Sequence, residues 1–269
     1  MTAITYLRCL QGVIHREALR FLNQRGRFVA ALVRPLVWLF IFAAGFRSVL
    51  GVSMIEPYDT YVLYEVYVVP GLAAMIQLFN GMQSSLTMVY DREMGSMRTL
   101  LVSPLPRWYL LGCKLLAGTI VSILQVYAFL AIAWAWDVRP PLAGYLLVLP
   151  ALLLVGLMLG SIGLFLSSAI KQLENFAGVM NFIIFPMFFA SSALYPLWRV
   201  RESSLLLYQI CTYNPFTYAV ELIRFALYGQ LNVEAALWVI GSLVVFAALS
   251  VYGYDPSRGL IARRAAAAT

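Results

Sequence analysis

Charged residues are scarce in this chain of 269 residues. Asp, Glu, Lys and Arg make up 12% of the sequence, against roughly 25% in a typical soluble domain. Hydrophobic residues make up 62%, and the mean hydropathy is +0.83. A soluble protein of this size would carry more charged residues on its surface, so the composition predicts an integral membrane protein.

Residues that form common catalytic and metal sites are also rare. The single histidine, His15, excludes multi-histidine metal sites by count. It lies outside the apolar runs with no cysteine or acidic cluster close by, which argues against histidine-dependent nucleophilic catalysis. No GxSxG motif is present, which argues against a serine protease. The three cysteines are an odd number in different predicted compartments, and they indicate neither a disulfide framework nor a metal site. They are Cys9, Cys113 and Cys211.

Lysine is nearly absent, and this decides whether the chain can hydrolyse ATP through a P-loop. That motif requires a lysine directly after a glycine. The two lysines, Lys114 and Lys171, follow a cysteine and an isoleucine. The chain is therefore not a P-loop ATPase, and we expect it to hold no catalytic residue, metal or cofactor of its own.

Long apolar runs account for most of the sequence. About 20 apolar residues cross the roughly 30 Å of membrane hydrocarbon, and six runs reach that length. They are 28–50, 66–88, 109–135, 144–168, 175–195 and 233–254. We therefore predict an all-α membrane protein that is one domain over 1–269, with a membrane part at 28–254 and a cytoplasmic tail at 255–269. Between the fifth and sixth runs we expect an outer segment that is partly helical and dips into the membrane.

The basic residues predict the orientation. With both termini in the cytoplasm, twelve basic residues lie in inner segments and five in outer segments, as the positive-inside rule favours. The inner ones are Arg8, Arg16, Arg20, Arg25, Arg27, Arg92, Arg98, Arg107, Lys171, Arg258, Arg263 and Arg264, and the outer ones are Arg47, Arg139, Arg199, Arg201 and Arg224. The net charge of +7 is thus explained by contact with anionic lipid, and we expect no nucleic-acid partner.

The first 27 residues predict an amphipathic helix on the inner membrane surface. Apolar residues such as Ile4, Leu7 and Ile14 recur at helical spacing, while Arg8 and Arg16 occupy the opposite face. This helix either anchors the first span or contacts a partner. Because about 27 mostly polar residues precede the first apolar run, we expect no cleavable signal peptide.

The polar segment Tyr90–Trp108, reading YDREMGSMRTLLVSPLPRW, separates the second and third apolar runs. It opens with charged residues, breaks at a glycine and ends at Ser-Pro and a second proline. A stiff, charged connection between two membrane helices either binds a soluble partner or is a solvated loop with a local salt bridge. Its candidate contact residues are Asp91, Arg92, Glu93, Gly95, Arg98, Ser103 and Pro104.

Two motifs resemble those of the ABC-2 family of transporter permeases. REMGSMRTLLVSPLPRW is similar to the coupling segment of that family, and FPMFFASSALYPLWRV followed by YNPFTYAVELIRFALYG is similar to its carboxy-terminal signature. The resemblance implies a half-transporter that pairs with itself or a sister subunit. It further implies that two separate ATPase subunits bind ATP and Mg at the cytoplasmic face, contact the amino-terminal helix and the candidate residues of Tyr90–Trp108, and drive outward transport. The resemblance also places the protein in a bacterial plasma or inner membrane.

The resemblance further implies a substrate pathway lined by the second and fifth spans. Uncharged polar and aromatic residues in these spans are the candidates, with hydrogen-bonded helix packing as the alternative for each. They are Gln77, Asn80, Ser84, Asn181, Phe185 and Phe188. The candidate outer gate or re-entrant residues are Tyr195, Pro196, Asn214, Pro215, Glu221 and Arg224. Such a pathway suits an amphipathic, lipid-like, polysaccharide or drug substrate.

Charges inside the predicted spans are few. Arg34 and Lys114 lie near inner helix ends, and we expect their long side chains to extend to the membrane interface. No acidic relay is present in the apolar runs, which argues against the alternative of a self-sufficient secondary carrier or channel. Glu221 and Arg224, three residues apart on a helix, can form a local ion pair.

Overall fold

The computed structural model describes residues 3–23, 25–42, 45, 56–58, 62–93, 105–170 and 172–254. The regular elements of these residues are all helices. In chain order they are α1 (Ala3–Asn23), α2 (Arg25–Val37) with a following π-helical turn (Trp38–Phe42), α3 (Tyr64–Glu93), α4 (Arg107–Ala135), α5 (Leu142–Ala169), α6 (Leu173–Phe189), α7 (Leu197–Ser203), α8 (Leu205–Tyr213), α9 (Pro215–Leu227) and α10 (Val233–Gly253).

The apolar runs correspond to α2, α3, α4, α5, α6 and α10. Within the described residues, α4, α5 and α10 are long and apolar enough to cross a membrane, while α6 and the stretch Ala31–Ile41 are apolar but shorter. Helix α3 is long but carries several amide side chains. The end of the first predicted run, 43–44 and 46–50, and the tail 255–269 lie outside the described residues.

Helix α6 is shorter than the predicted run 175–195. It ends at Phe189 and is followed by a turn before α7 begins at Leu197. Pro186 lies in its last turn and cannot donate a backbone hydrogen bond. Apolar residues continue through this turn, which is why hydropathy alone extended the span.

Helix α3 occupies the centre of the bundle. Most of its first half is buried, including Leu72, Ala73 and Leu78, as is Met82 in its second half, and it packs against α4, α5, α6 and α9. Lipid tails are as apolar as these side chains, so close packing holds membrane helices together. Gly81 provides such a contact with α5, since a Cβ atom there would lie 3.0 Å from Gly160 Cα.

The outer segment folds into α7, α8 and α9. The segment was predicted to be partly helical and to dip into the membrane, and its helix α9 packs against α3, α5 and α10. Its residues Phe216, Ala219, Val220 and Ile223 are fully buried. Asn232 then caps α10 by accepting a hydrogen bond from the Ala235 backbone N–H.

Candidate functional site

An ion pair joins the neighbouring ends of α3 and α4. Lys114 Nζ lies 3.2 Å from Asp91 Oδ2, and the two side chains are 7% and 19% exposed. Asp91 is in the last turn of α3, and Lys114 is in the second turn of α4. Lys114 was expected to extend to the membrane interface, and it instead forms a largely buried pair. The pair ties together the two helices that flank residues 94–104.

Helix α1 docks on the start of α4. Tyr109 Oη donates a hydrogen bond of 2.6 Å to the backbone oxygen of Tyr6. The two rings also meet edge to face, with their centroids 4.8 Å apart. The predicted interfacial helix and the helix that follows the predicted coupling segment are therefore in direct contact.

The structure describes part of the predicted ATPase-contact set. The side chain of Asp91 is described, and Arg92 and Glu93 belong to the last turn of α3. The other members lie outside the described residues: Gly95, Arg98, Ser103 and Pro104. A role in ATPase contact stays a prediction for all seven residues.

The predicted pathway residues of α3 contact helices of the same chain. Gln77 Nε2 donates a hydrogen bond of 2.8 Å to the Leu152 backbone oxygen in α5, and the Asn80 amide donates to Gln125 in α4. Ser84 lies beside Gly118 of α4. For Gln77, which is 1% exposed, these contacts favour helix packing over substrate binding.

The predicted pathway residues of α6 point in two directions. Asn181 is exposed and Phe185 is partly exposed. Phe188 is buried and contacts the rings of Trp38 and Phe216. A groove of about 520 Å³ lies between α6 and α8, lined mainly by apolar side chains such as Met187. The outward face of α6 is thus available within this chain for a neighbour or a substrate.

A buried arginine lies at the centre of the outer half. Arg224 is 2% exposed, pairs with Glu221 on its own helix and donates a 2.9 Å hydrogen bond to the Ser192 backbone oxygen. Its guanidinium lies 4.1 Å from the ring centroid of Tyr67. Tyr67 Oη donates to the same Ser192 oxygen at 2.9 Å. These contacts join α9, α3 and the turn after α6.

Tyr58 lies close to this arginine and packs edge to face on Tyr228, with ring centroids 4.6 Å apart. Burial raises the pKa of Tyr58 to about 12, although the nearby charge of Arg224 acts in the opposite direction. The phenol therefore stays neutral across the physiological pH range.

Asn214 connects the start of α9 to the end of α6. Its Nδ2 donates hydrogen bonds to the backbone oxygens of Met187 at 2.7 Å and Ala190 at 2.6 Å. Its Oδ1 accepts from the Phe216 backbone N–H at 3.0 Å, which caps α9. One side chain thereby satisfies carbonyl groups at the end of one helix and an N–H group at the start of another.

The remaining residues predicted for the outer region shape the same turns. Tyr195 Oη donates to the backbone oxygen of Phe189. Pro196 precedes α7 as its N-cap, and Pro215 is the first residue of α9, where a missing N–H has no helical partner to lose. The structure thus brings Asn214, Glu221 and Arg224 onto or next to α9, while Tyr195 belongs to the turn before α7.

Three contacts were not predicted from the sequence. They involve Lys114 as the partner of Asp91, Tyr67 beneath Arg224, and the Tyr6 backbone oxygen that binds Tyr109. For Lys114 there was a signal, because it is the basic residue inside the third apolar run and Asp91 is the first acidic residue after the second. Tyr6, Tyr67 and Tyr109 carried no signal in the sequence that separates them from the other aromatic residues.

Residues 8–228, which span α1 to α9, match the family model described as ABC-2 type transporter. The chain is 24% identical over 228 residues to "Putative transport permease ycf38" of Cyanophora paradoxa, covering 84% of this chain and 76% of that protein.

A second relative is "Probable multidrug ABC transporter permease YbhR" of Escherichia coli (strain K12). It is 32% identical over 171 residues, covering 62% of this chain and 45% of that protein. The matched residues 8–228 contain both motifs that resembled permeases in the sequence. The chain therefore belongs to the ABC-2 type transporter family, whose members are membrane permease components of ABC transporters and not ATPases themselves.

Proposed function

We propose that this chain is the transmembrane half of an ABC exporter driven by separate ATPase subunits, which bind ATP and Mg. The observation that carries the proposal is the set of contacts at one end of the bundle. There the Asp91–Lys114 pair joins α3 to α4, and the Tyr109–Tyr6 contact joins α4 to α1. A partner that binds the segment between α3 and α4 acts on three connected helices.

The position of α3 suggests how a movement at this end reaches the opposite side of the membrane. A helix of 30 residues is about 45 Å long, which exceeds the roughly 30 Å of hydrocarbon. Its inner end carries Asp91, and near its outer end Tyr67 contacts Arg224. A shift of α3 along its axis therefore changes the contacts of α9 as well.

The proposal includes six membrane spans, cytoplasmic termini and an interfacial α1. Helices α8 and α9 contain 9 and 13 residues, or about 14 and 20 Å, so each is too short to span. Since α9 is nonetheless buried against three helices, we propose that α8 and α9 form a re-entrant outer hairpin. Buried, capped helix ends are a requirement for such a hairpin in lipid.

We further propose that two copies, or one copy and a paralogue, enclose the transport pathway. The exposed face of α6 supports this, because Asn181 places an amide among the exposed rings of Phe182 and Phe185. Amphipathic solutes suit a surface of this mixed character. The pathway has no fixed charge in these positions, which is compatible with a lipid-like, polysaccharide or drug substrate.

A self-sufficient carrier is the competing function, and charge placement argues against it. Ion-coupled carriers commonly place acidic residues near the membrane midplane. Between Glu65 and Asp91 of α3, and throughout α4 and α5, the sequence contains no Asp or Glu. Transport driven by a partner requires no such residue.

The test is purification of the chain from its native membrane in mild detergent. We expect a P-loop ATPase to co-purify with the wild type and to be lost from Glu93→Arg, which reverses the charge at the end of α3. The matched control is Glu202→Arg on the exposed surface of α7, which should retain the ATPase. Absence of any ATPase from an intact wild-type complex would favour the self-sufficient carrier or channel.

A further inference from the structure

A small pocket between α2 and α3 contains hydrogen-bond donors and a positive charge. It has a volume of about 70 Å³. By the same measure, one water molecule requires roughly 10–15 Å³. Polar donors come from Arg34, Asn80 and Gln83, and the apolar wall includes Met75 and Phe79. The pocket therefore has room for a compact polar group several times larger than a water molecule.

The pocket carries a cation without a matching anion. The Arg34 guanidinium lies 3.7 Å above the centroid of the Phe79 ring, and no carboxylate lines the pocket. Among the described residues, none forms a salt bridge with Arg34. Stacking on a ring leaves the edge of the guanidinium free to donate, and this planar fork suits the oxygens of a phosphate.

The pocket lies toward the predicted cytoplasmic end of the bundle. Arg34 lies nine residues after the start of α2, and Gln83 lies ten residues before the end of α3. At 1.5 Å per residue, these distances are about 13 and 15 Å from the predicted cytoplasmic helix ends. Both donors are thus at a similar height, about 12 Å along α3 from Asp91. A long arginine side chain can extend from this height toward the headgroups.

An exposed apolar stripe runs along the helix that carries Arg34, toward the predicted membrane centre. Along α2 and the following turn, Val33, Val37 and Ile41 are exposed, and they recur at helical spacing on one face. An acyl chain can lie along this stripe while its headgroup occupies the pocket. A soluble anion has no apolar chain that could contact this stripe.

We propose that the pocket formed by Arg34, Asn80 and Gln83 binds the phosphate of an anionic phospholipid from the leaflet nearest the Asp91–Lys114 pair. Arg34 donates to the phosphate oxygens, and the amide group of Gln83 binds the remaining polar atoms of the headgroup. Asn80, whose amide nitrogen donates to Gln125, lines the wall between them. Basic pockets between membrane helices on the cytoplasmic side are suited to such headgroups. The inference does not depend on the direction of transport or on the ATPase.

The test is titration of the detergent-purified full chain with phosphatidylglycerol, followed by native mass spectrometry. We expect one tightly bound phosphatidylglycerol per chain and at least about tenfold weaker binding to Arg34→Gln, as expected when hydrogen bonds to a charged group are lost. Arg34→Lys should bind with intermediate affinity, because it keeps the charge and loses the fork. Gln83→Leu should also weaken binding, and it provides a second variant if Arg34→Gln does not fold.

The controls separate this site from general attraction to lipid. Arg139→Gln removes an exposed arginine at the opposite end of α4 and should leave the affinity unchanged. Equal affinities for phosphatidylglycerol and phosphatidylcholine, or unchanged binding to both Arg34→Gln and Gln83→Leu, would overturn the proposal. Full displacement of the lipid by inorganic phosphate would show a site for free anions and would overturn it as well. Binding is measured without an ATPase, so failure here leaves the proposed function standing.

Discussion

Replacement of Lys114 by methionine should destabilise the inner end of the bundle. The substitution keeps an unbranched side chain of similar length but removes the ammonium that lies 3.2 Å from Asp91 Oδ2, in a site where the two side chains are 7% and 19% exposed. Loss of one partner from a buried ion pair costs about 3–5 kcal/mol. Because Asp91 keeps some contact with solvent, we expect the lower end, about 3 kcal/mol. At roughly 2–4 °C per kcal/mol for a chain of this size, the melting temperature should fall by about 6–12 °C.

The assay is thermal unfolding of the detergent-purified chain in a double-mutant cycle. Adding Asp91→Asn to Lys114→Met removes the carboxylate charge that Lys114 no longer offsets and should restore much of the lost stability. The control is Arg139→Met, which breaks an exposed pair with Asp137 and should cost no more than about 1 kcal/mol. A Lys114→Met variant that unfolds at the same temperature as Arg139→Met, with no coupling in the cycle, would refute this reasoning.

Three further substitutions test the packing of the bundle, each by thermal unfolding. Arg224→Lys should lower stability by at least about 2 kcal/mol, since an ammonium cannot reproduce the fork that reaches two acceptors; an unchanged melting temperature would contradict this role. Asn214→Asp keeps the cap of α9 but directs a carboxylate at two carbonyl oxygens. It should therefore lower the melting temperature at least as much as Asn214→Ala. An unchanged melting temperature for Asn214→Asp would show that these hydrogen bonds do not stabilise the fold. Gly81→Ala should cost about 1–3 kcal/mol because its Cβ meets the α5 backbone, whereas Gly112→Ala, with open space around it, should not.

Helix positions in the bundle were predictable because membrane spans need long apolar runs. The runs 109–135 and 144–168 agree with α4 (Arg107–Ala135) and α5 (Leu142–Ala169) to within two residues. The break at the end of α6 was missed because its turn residues are as apolar as the helix. Hydropathy measures the preference of a side chain for an apolar environment over water, and it does not show where the backbone turns.

The environment of the charged residues in α9 was only partly predictable. Glu221 and Arg224 pair with each other, and the guanidinium also bonds to Ser192 and stacks on Tyr67. Sequence spacing predicted the pair itself, because residues three apart meet on a helix. The contacts with Ser192 and Tyr67 join residues 32 and 157 positions apart, so no local pattern can reveal them.

The candidate pathway shows a similar division. Uncharged polar residues in a membrane helix face protein or water, and this rule cannot choose between the two. Gln77 bonds to its own bundle, whereas Asn181 is exposed. The packing of α3 against α5 explains why Gln77 faces protein. The exposed position of one face of α6 explains why Asn181 does not.

The measurement that tests the central claim most directly is ATP hydrolysis by the partner ATPase, with and without this chain in lipid nanodiscs. The account predicts that hydrolysis depends on the permease, falls sharply with Glu93→Arg and is unchanged with Glu202→Arg. Hydrolysis at the same rate in the presence and absence of the wild-type chain would contradict the account, because the two proteins would then not be coupled.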